Sequence, residues 1–382
     1  MKTIEIIPVT APLEGIVNLP GSLSYTTRAL ALAFLTDGPV EILNSAKCDD
    51  TYAMTDCLKK LSIGDCELNV RLSGRTARTI LALACISPSK KIITCDEAFK
   101  KRPMTDLVDA LRSLGAEIEY LDKDGFLPLC VSSSTLNSGI VRVKGDVSSQ
   151  FLSALLMIAP KCGFEIEVDG ELSSKPFVDM TIEIMKDFGV EVINKNYKNF
   201  KVSGEYSCKT YTVEGDASAA SYFIALNALT ASKVKIIGLN KNSKQGDVVF
   251  ETIINSGESA FDMKNCLDIV PTVAVMAAFA KGETHLYGLE TLAFKESNRI
   301  ECVAGELRKM GIKVETAKDF MKIHGGKAHG ALIDPHGDHR IAMAFAIAGL
   351  KVPGILIQNP DVVSKSFPDF FEVLKSLKVK IL

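Results

Sequence analysis

Apolar residues gather into six long runs, each preceded by a short polar turn. The runs are PGSLSYTTRALALAFL from Pro20, LSGRTARTILALACI from Leu72, GDVSSQFLSALLMIAP from Gly145, GDASAASYFIALNAL from Gly215, DIVPTVAVMAAFA from Asp268 and GDHRIAMAFAIAG from Gly337. Each is apolar on most helical faces, the pattern of a helix buried all round. Six further runs alternate with them: DTYAMTDCLKKL from Asp50, PMTDLVDALRSLGAEIE from Pro103, VDMTIEIMKDFGVEVI from Val178, GDVVFETIINSG from Gly246, ESNRIECVAGELRKMGIKVE from Glu296 and FPDFFEVLKSLKVKI from Phe367. Their apolar residues recur three and four apart, as at Leu107, Leu111 and Leu114, which predicts amphipathic helices with one face to solvent. Several end in a glycine followed by an alternating stretch, as at Gly115 and Gly189, where a left-handed cap gives way to a strand. Runs such as KIITC from Lys91, VRVKG from Val141 and KVKIIG from Lys233 read as connecting strands.

The pattern repeats at long range. Gly21 and Gly215 are 194 residues apart, Gly74 and Asp268 also 194, and Gly145 and Gly337 are 192 apart. The chain therefore reads as two similar halves of three units, each unit roughly βαβαββ around one buried helix. This predicts an α/β protein of two similar domains. One is expected from residues 21–214, the other from residues 1–20 plus 215–382.

Composition narrows the class. With 382 residues, 47% hydrophobic and 24% charged, the chain has ample sequence for large cores. A formal net charge of −2 gives no global attraction to nucleic acid or acidic membranes, so any affinity for anions must be local. The opening MKTIEIIPVTAPLEG mixes charges into its apolar stretch and does not read as a signal peptide. No apolar run predicts a membrane span. The ten cysteines are scattered singly, with no CxxC pair, which points to a reduced, cytoplasmic protein without a metal site.

Charge is concentrated where the buried helices begin. Ser148, Ser149 and Gln150 open the third run, and Asp338, His339 and Arg340 the sixth. Arg28 lies in the first, and Arg75 and Arg78 in the second. A Ser or Asp there is accounted for as an N-cap. Arginine near the positive end of a helix is not, unless an anion sits beside it. Three basic loops precede amphipathic helices: Lys100-Lys101-Arg102, Lys295-Glu296-Ser297-Asn298-Arg299 and Ser364-Lys365-Ser366. At equivalent positions in a repeat they suggest a clamp for phosphate or carboxylate. Glu296 and Asp268 stand among these cations and suit general acid–base work, although Asp268 equally suits a cap and His339 an orienting role.

These segments together resemble the 5-enolpyruvylshikimate-3-phosphate synthase family. GDVSSQFLSALLMIAP, SKPFVDMT, VEGDASAASYF, KESNRI, GDHRIAMAF and KSFPDFFEVL occur in that family's order along the whole chain. The resemblance implies the enolpyruvyl transferase fold, of inverted α/β barrel type, with two domains closing over a cleft. It also implies transfer of the enolpyruvyl group of phosphoenolpyruvate to the 5-hydroxyl of shikimate 3-phosphate, on the way to aromatic amino acids. No metal or organic cofactor, nucleic acid or membrane partner is implied, and a monomer is expected.

Residue by residue, the resemblance assigns Ser148, Ser149 and Ser174 to the shikimate phosphate. Ser24 and Arg28 go to the shikimate ring and carboxylate, with Gln150 between the two ligands. Arg102, Arg299, Arg340 and Lys365 go to phosphoenolpyruvate, with Gly74 where its backbone approaches. Asp268 matches the base at the attacking hydroxyl with Lys295 beside it, Glu296 the proton-transfer group at the enol carbon, and His339 a neighbour of the clamp. Four positions depart from the family pattern. Leu23 replaces a lysine, Phe177 an aromatic hydroxyl, Asn298 an aspartate and Arg75 a threonine. Arg75 is the candidate replacement for the missing cation. Leu23 and Phe177 leave two other readings open: an enolpyruvyl transferase with another cyclic acceptor, or a low-activity binding paralogue.

Overall fold

In a computed structural model, residues 2–64, 66–132, 135–146 and 148–382 are described. The chain divides into two compact units, Gly21–Val213 and Met1–Pro20 with Glu214–Leu382.

Gly21–Val213 contains α1 (Leu23–Leu35), α2 (Asp49–Leu61), α3 (Gly74–Ala84), α4 (Thr105–Ser113), α5 (Ser149–Cys162) and α6 (Lys175–Asp187). The odd-numbered helices are the all-apolar runs and are the most deeply buried; in α5 every residue from Phe151 to Ala159 is buried. One four-stranded sheet runs in the order Cys66–Asn69, Lys91–Thr94, Leu129–Val131, Ile118–Tyr120, with only its first pair parallel. The other runs Glu191–Lys195, Asn199–Ser203, Phe164–Asp169, Gly139–Lys144, with only its last pair parallel. A parallel pair, Glu41–Leu43 with Thr210–Thr212, joins the start of the unit to its end. Gly115 at φ 95° and Gly189 at φ 87° follow α4 and α6 in the left-handed region, as their place in the sequence requires.

The second unit repeats this plan with α7 (Ala217–Thr230), α8 (Phe250–Asn255), α9 (Val270–Ala278), α10 (Arg299–Lys309), α11 (His339–Gly349) and α12 (Phe370–Ser376). Its four-stranded sheet is Ala260–Asp262, Glu283–Tyr287, Phe320–His324, Lys313–Thr316. A three-stranded sheet places Ile355–Gln358 between Thr3–Ile6 and Ala331–Ile333. Glu14–Asn18 pairs in parallel with Lys233–Ile237. Every residue of α11 is buried; its alanines at 342, 344, 346 and 348 let neighbouring backbone pack close, and it lies against α9.

Among the described residues no sheet closes on itself and the largest have four strands. The architecture is thus one of open sheets around buried helices rather than a closed strand barrel. No described helix is long and apolar enough to cross a membrane. The run from Asp268 differs from its pattern: the helix begins only at Val270, and Asp268 lies in a preceding 3-10 turn, Leu267–Ile269.

The turn into α1 has no room for a side chain. A Cβ on Gly21 would lie 1.8 Å from the carbonyl oxygen of Asn44. That oxygen is backbone and cannot swing aside. Gly21→Ala is therefore expected to destabilise the protein by about 2 kcal/mol or more, in the range of overpacked cores. Thermal unfolding measures this, and an unchanged melting temperature would mean that the Asn44 segment is free to move.

Candidate active site

In Gly21–Val213 the arginines at the helix starts lie on neutral groups. Arg28 on α1 is buried, and its Nε donates to Thr181 Oγ1 of α6 at 2.8 Å. Its Nη1 donates to the Ser24 carbonyl at 2.9 Å, and its Nη2 to the Phe177 carbonyl at 2.9 Å and to Ser153 Oγ of α5 at 3.4 Å. Burial, and then the like charge of Arg75, depress its pKa to about 10. Arg75 on α3 reaches across to α1, its Nη1 3.1 Å from Ser24 Oγ. Buried cations held by hydroxyls and carbonyls are stabilised by an incoming anion, because their desolvation is otherwise uncompensated.

The serines reach the same ends of their helices by different means. Ser148 caps α5, its hydroxyl accepting from the Gln150 amide at 3.2 Å, with Ser149 buried just inside and Gln150 half-buried. Ser174 stands before α6 in the left-handed region, φ 55°, and its side chain makes no cap hydrogen bond. Its neighbour Ser173 fixes this loop to the turn before α5, donating from both its amide and its hydroxyl to the Gly145 carbonyl, at 2.9 and 3.3 Å. A strained non-glycine backbone held this way is characteristic of binding sites. The guanidinium of Arg102 rests against Gly74, where an added Cβ would lie 2.7–2.8 Å from it. Leu23, in the lysine's place, is buried in a small apolar cluster with Ala46 and Cys48.

The other unit arranges its charges in the opposite way. Arg299 is buried and each edge of its guanidinium meets a carboxylate. Nε donates to Asp338 Oδ2 at 2.7 Å, Nη1 to Asp268 Oδ1 at 2.9 Å and Nη2 to Glu296 Oε2 at 2.7 Å. Burial opposes this charge, but Asp338, Glu296 and Asp268 outweigh it and hold Arg299 above its ordinary range. Arg340 Nη2 donates to Asp268 Oδ2 at 2.9 Å, Lys295 Nζ is 3.8 Å from Asp268 Oδ1, and Lys365 Nζ is 3.2 Å from Glu296 Oε1. Asp268 thus faces cations on both oxygens, and helix capping is not its role.

Asp338 does both jobs. It caps α11 through the Arg340 amide at 2.9 Å while binding Arg299. His339 Nδ1 is 3.8 Å from Asp338 Oδ1, too far for a hydrogen bond. Burial first, then Lys365 and Arg340, push its pKa well below the ordinary value, so the ring is neutral at pH 7 and the contact is no ion pair.

One carboxyl in this cluster carries no mark in the sequence beyond a Gly-Asp pair. Asp247 is buried in the 3-10 turn Gly246–Val249 and accepts from Ser218 Oγ of α7. Gln245 braces the same turn, donating to Glu214 Oε1 at 2.7 Å and to the Gly215 carbonyl at 2.9 Å while accepting from the Ala217 amide at 3.0 Å. The Gly-Asp pairs at 215–216 and 337–338, which open buried helices, were the available signal. Ser153 and Thr181, which bind Arg28, sit mid-helix and had none.

A family model described as EPSP synthase (3-phosphoshikimate 1-carboxyvinyltransferase) matches residues 7–257 and 252–374. A 3-phosphoshikimate 1-carboxyvinyltransferase from Sulfurovum sp. is 37% identical over 425 aligned positions, covering 99% of each chain. One from Actinobacillus succinogenes is 39% identical, covering 97% of this chain and 98% of its own. A solved EPSP synthase from Acinetobacter baumannii shares the fold, with a TM-score of 0.81 at 21% identity over 100% of both chains. Family-wide match and full-length relatives agree: the chain belongs to the EPSP synthase (3-phosphoshikimate 1-carboxyvinyltransferase) family.

Proposed function

We propose that the protein transfers the enolpyruvyl group of phosphoenolpyruvate to the 5-hydroxyl of shikimate 3-phosphate and releases phosphate. The observation that carries this reading is the buried Arg28, whose guanidinium is held, among the described residues, by uncharged oxygens and would be stabilised by an anion. In the Gly21–Val213 unit, Ser148, Ser149 and Ser174 bind the phosphate of shikimate 3-phosphate. Arg28 and Ser24 take its carboxylate and ring, and Gln150 lies at the border of the two substrates. The residues assigned to phosphoenolpyruvate are Arg102, Arg299, Arg340 and Lys365, with Gly74 leaving space beside Arg102. The protein works in the cytoplasm as a monomer.

The addition needs two proton transfers, and the elimination that follows needs a third. The methylene carbon of phosphoenolpyruvate takes a proton, and the attacking 5-oxygen gives one up as it bonds to the neighbouring carbon. The tetrahedral intermediate then returns the methyl proton and expels phosphate with the bridging oxygen. Glu296 carries the proton at the methylene carbon, and Asp268 takes the hydroxyl proton, steadied by Arg299, Arg340 and Lys295. His339 stays neutral beside Arg340, so it adds no charge to the clamp.

Glu296→Gln keeps the shape and removes the titratable group. Turnover is expected to fall about a hundredfold or more with substrate binding nearly intact. Phosphate release from phosphoenolpyruvate plus shikimate 3-phosphate measures both; survival of turnover would leave Glu296 only a partner of Arg299 and Lys365. The same assay on the unaltered protein tests the reaction itself.

Arg75 stands in for the lysine that Leu23 displaces. It does not point to solvent; it reaches Ser24, a residue assigned to the shikimate ring. Arg75→Thr is expected to lower kcat/KM about tenfold or more, the loss of one charge-assisted contact. Leu23→Lys should recover part of that loss in the double mutant. A neutral Arg75→Thr together with a strongly activating Leu23→Lys would overturn the compensation.

Asp247 introduces a pH dependence. Burial and then the Asp268 charge raise its carboxyl from 3.8 to about 7, against Arg340 and the Ser218 hydrogen bond. A raised acid stabilises the fold below its unfolded value, and this is lost as pH rises through the folded value. The wild type should therefore lose stability between pH 3.8 and about 7 relative to Asp247→Asn. Parallel denaturation curves for the two proteins across that window would show that Asp247 is ionised throughout.

A further inference from the structure

Arg102 does not find its place unaided. Its guanidinium carbon lies over the ring of Phe99, 5.1 Å from the centroid, and its amide donates to the Phe99 carbonyl at 2.9 Å. A second guanidinium, that of Arg78 on α3, lies over the same ring at the same 5.1 Å. Arg78 is also 5.8 Å from the centroid of Phe151 on α5. Both Phe99 and Arg78 are buried, at 1% and 3% exposure, so neither is a surface decoration.

The hydrogen bonds of Arg78 explain why it is there. Its Nη1 donates to the Gly74 carbonyl at 3.2 Å and its Nη2 to the Pro103 carbonyl at 2.7 Å. Gly74 is the backbone against which the Arg102 guanidinium rests, and Pro103 is the next residue in its own loop. The planar fork of Arg78 thus spans both sides of Arg102's seat, a reach that an ammonium group cannot copy. Its Nε is buried without a hydrogen-bond partner, and among the described residues no carboxylate meets this side chain. A buried cation with that environment is costly unless it serves to hold something.

We propose that Arg78 and Phe99 are positioning residues that set the guanidinium of Arg102 over Gly74, in the orientation that receives an anionic group of phosphoenolpyruvate. Phe99 offers the electron-rich face of one ring to both arginines, which eases the repulsion of two like charges held near each other. Arg78 fixes the distance between α3 and the loop that carries Arg102. The cost of assembling this arrangement is met on folding, so the anion finds Arg102 already aimed. Burial and then Arg102 lower the pKa of Arg78 well below the ordinary value, in keeping with two cations held close.

The inference rests on the function proposed above, and the experiment separates the two. Steady-state kinetics on the full chain, with phosphoenolpyruvate and shikimate 3-phosphate each varied, are compared for wild type, Phe99→Leu, Phe99→Tyr and Arg78→Lys. Phe99→Leu keeps most of the volume and removes the ring face. The KM for phosphoenolpyruvate should rise about tenfold, with kcat and the KM for shikimate 3-phosphate changed less than about threefold. Phe99→Tyr, which restores the ring, should return the KM close to wild type. Arg78→Lys should show the same selective rise, since it keeps the charge and loses the fork. If Phe99→Leu does not fold, the Phe99→Tyr and Arg78→Lys pair decides the matter. A merely structural role would move both KM values and the melting temperature together, and that result, or an unchanged KM for phosphoenolpyruvate in Phe99→Leu and Arg78→Lys, overturns the proposal. A wild type that releases no phosphate from the two substrates instead overturns the proposed function, and the positioning role with it.

Discussion

A guanidinium taken out of water must be met by something, and the two units of this chain meet that demand in opposite ways. In one, Arg299 is surrounded by Asp268, Glu296 and Asp338, and the cations beside it return to the same carboxylates. In the other, Arg28 lies on hydroxyls and carbonyls, and Arg78 on carbonyls and aromatic faces. Removing one partner from the first arrangement leaves a charge buried and uncompensated, the more damaging kind of loss. The second leaves Arg28 and Arg78 without a carboxylate among the described residues, an arrangement that an anion would stabilise. A network of ion pairs and a set of guanidiniums held by neutral groups are thus built on the same repeated helix plan, and the side chains at the helix starts separate them.

Most of the fold was legible because it depends on a coarse property. A helix buried on every side has to be apolar on every side, and the runs from Pro20, Gly145 and Gly337 could form little else. The amphipathic helices and their closing glycines follow from spacing and from the left-handed cap at positions such as Gly189. The start of α9 was less legible. A Pro at its second position, Pro271, and an Asp two residues before its first together resemble a capped start, yet Asp268 turns inward to Arg299 and Arg340. An ion pair across sequence separation outweighs a local cap, and no short-range pattern encodes that choice.

The site was legible as a list of residues and not as a set of relations. Resemblance assigns Arg299 to a ligand clamp, and what it left unstated is that Arg299 also holds three acids in place. Asp247, Ser153 and Thr181 were missed because a single buried polar residue in an apolar helix or a short turn has no periodic signature. Their importance appears only in the folded chain, where Asp247 meets Ser218 in one unit and Ser153 and Thr181 meet Arg28 in the other. Arg75 shows the same limit from the other side. Its position one residue from Gly74 could be read directly, but its reach to Ser24 depends on how α1 and α3 pack.

The charge balance around Asp268 explains why His339 has to be neutral. Lys295, Arg299, Arg340 and Lys365 already face Asp268, Glu296 and Asp338, with Asp247 behind them. Adding a protonated imidazole, buried and next to Lys365 and Arg340, would place a cation where burial and two like charges oppose it, and the ring stays uncharged. Asp247 is the counterpart on the acidic side, since burial and Asp268 favour its neutral form as pH falls toward 7. With Asp247 protonated, Arg340 keeps Asp268 and Asp216 as acidic neighbours, and Arg299 keeps Asp338, Glu296 and Asp268, so both buried guanidiniums remain matched by carboxylates.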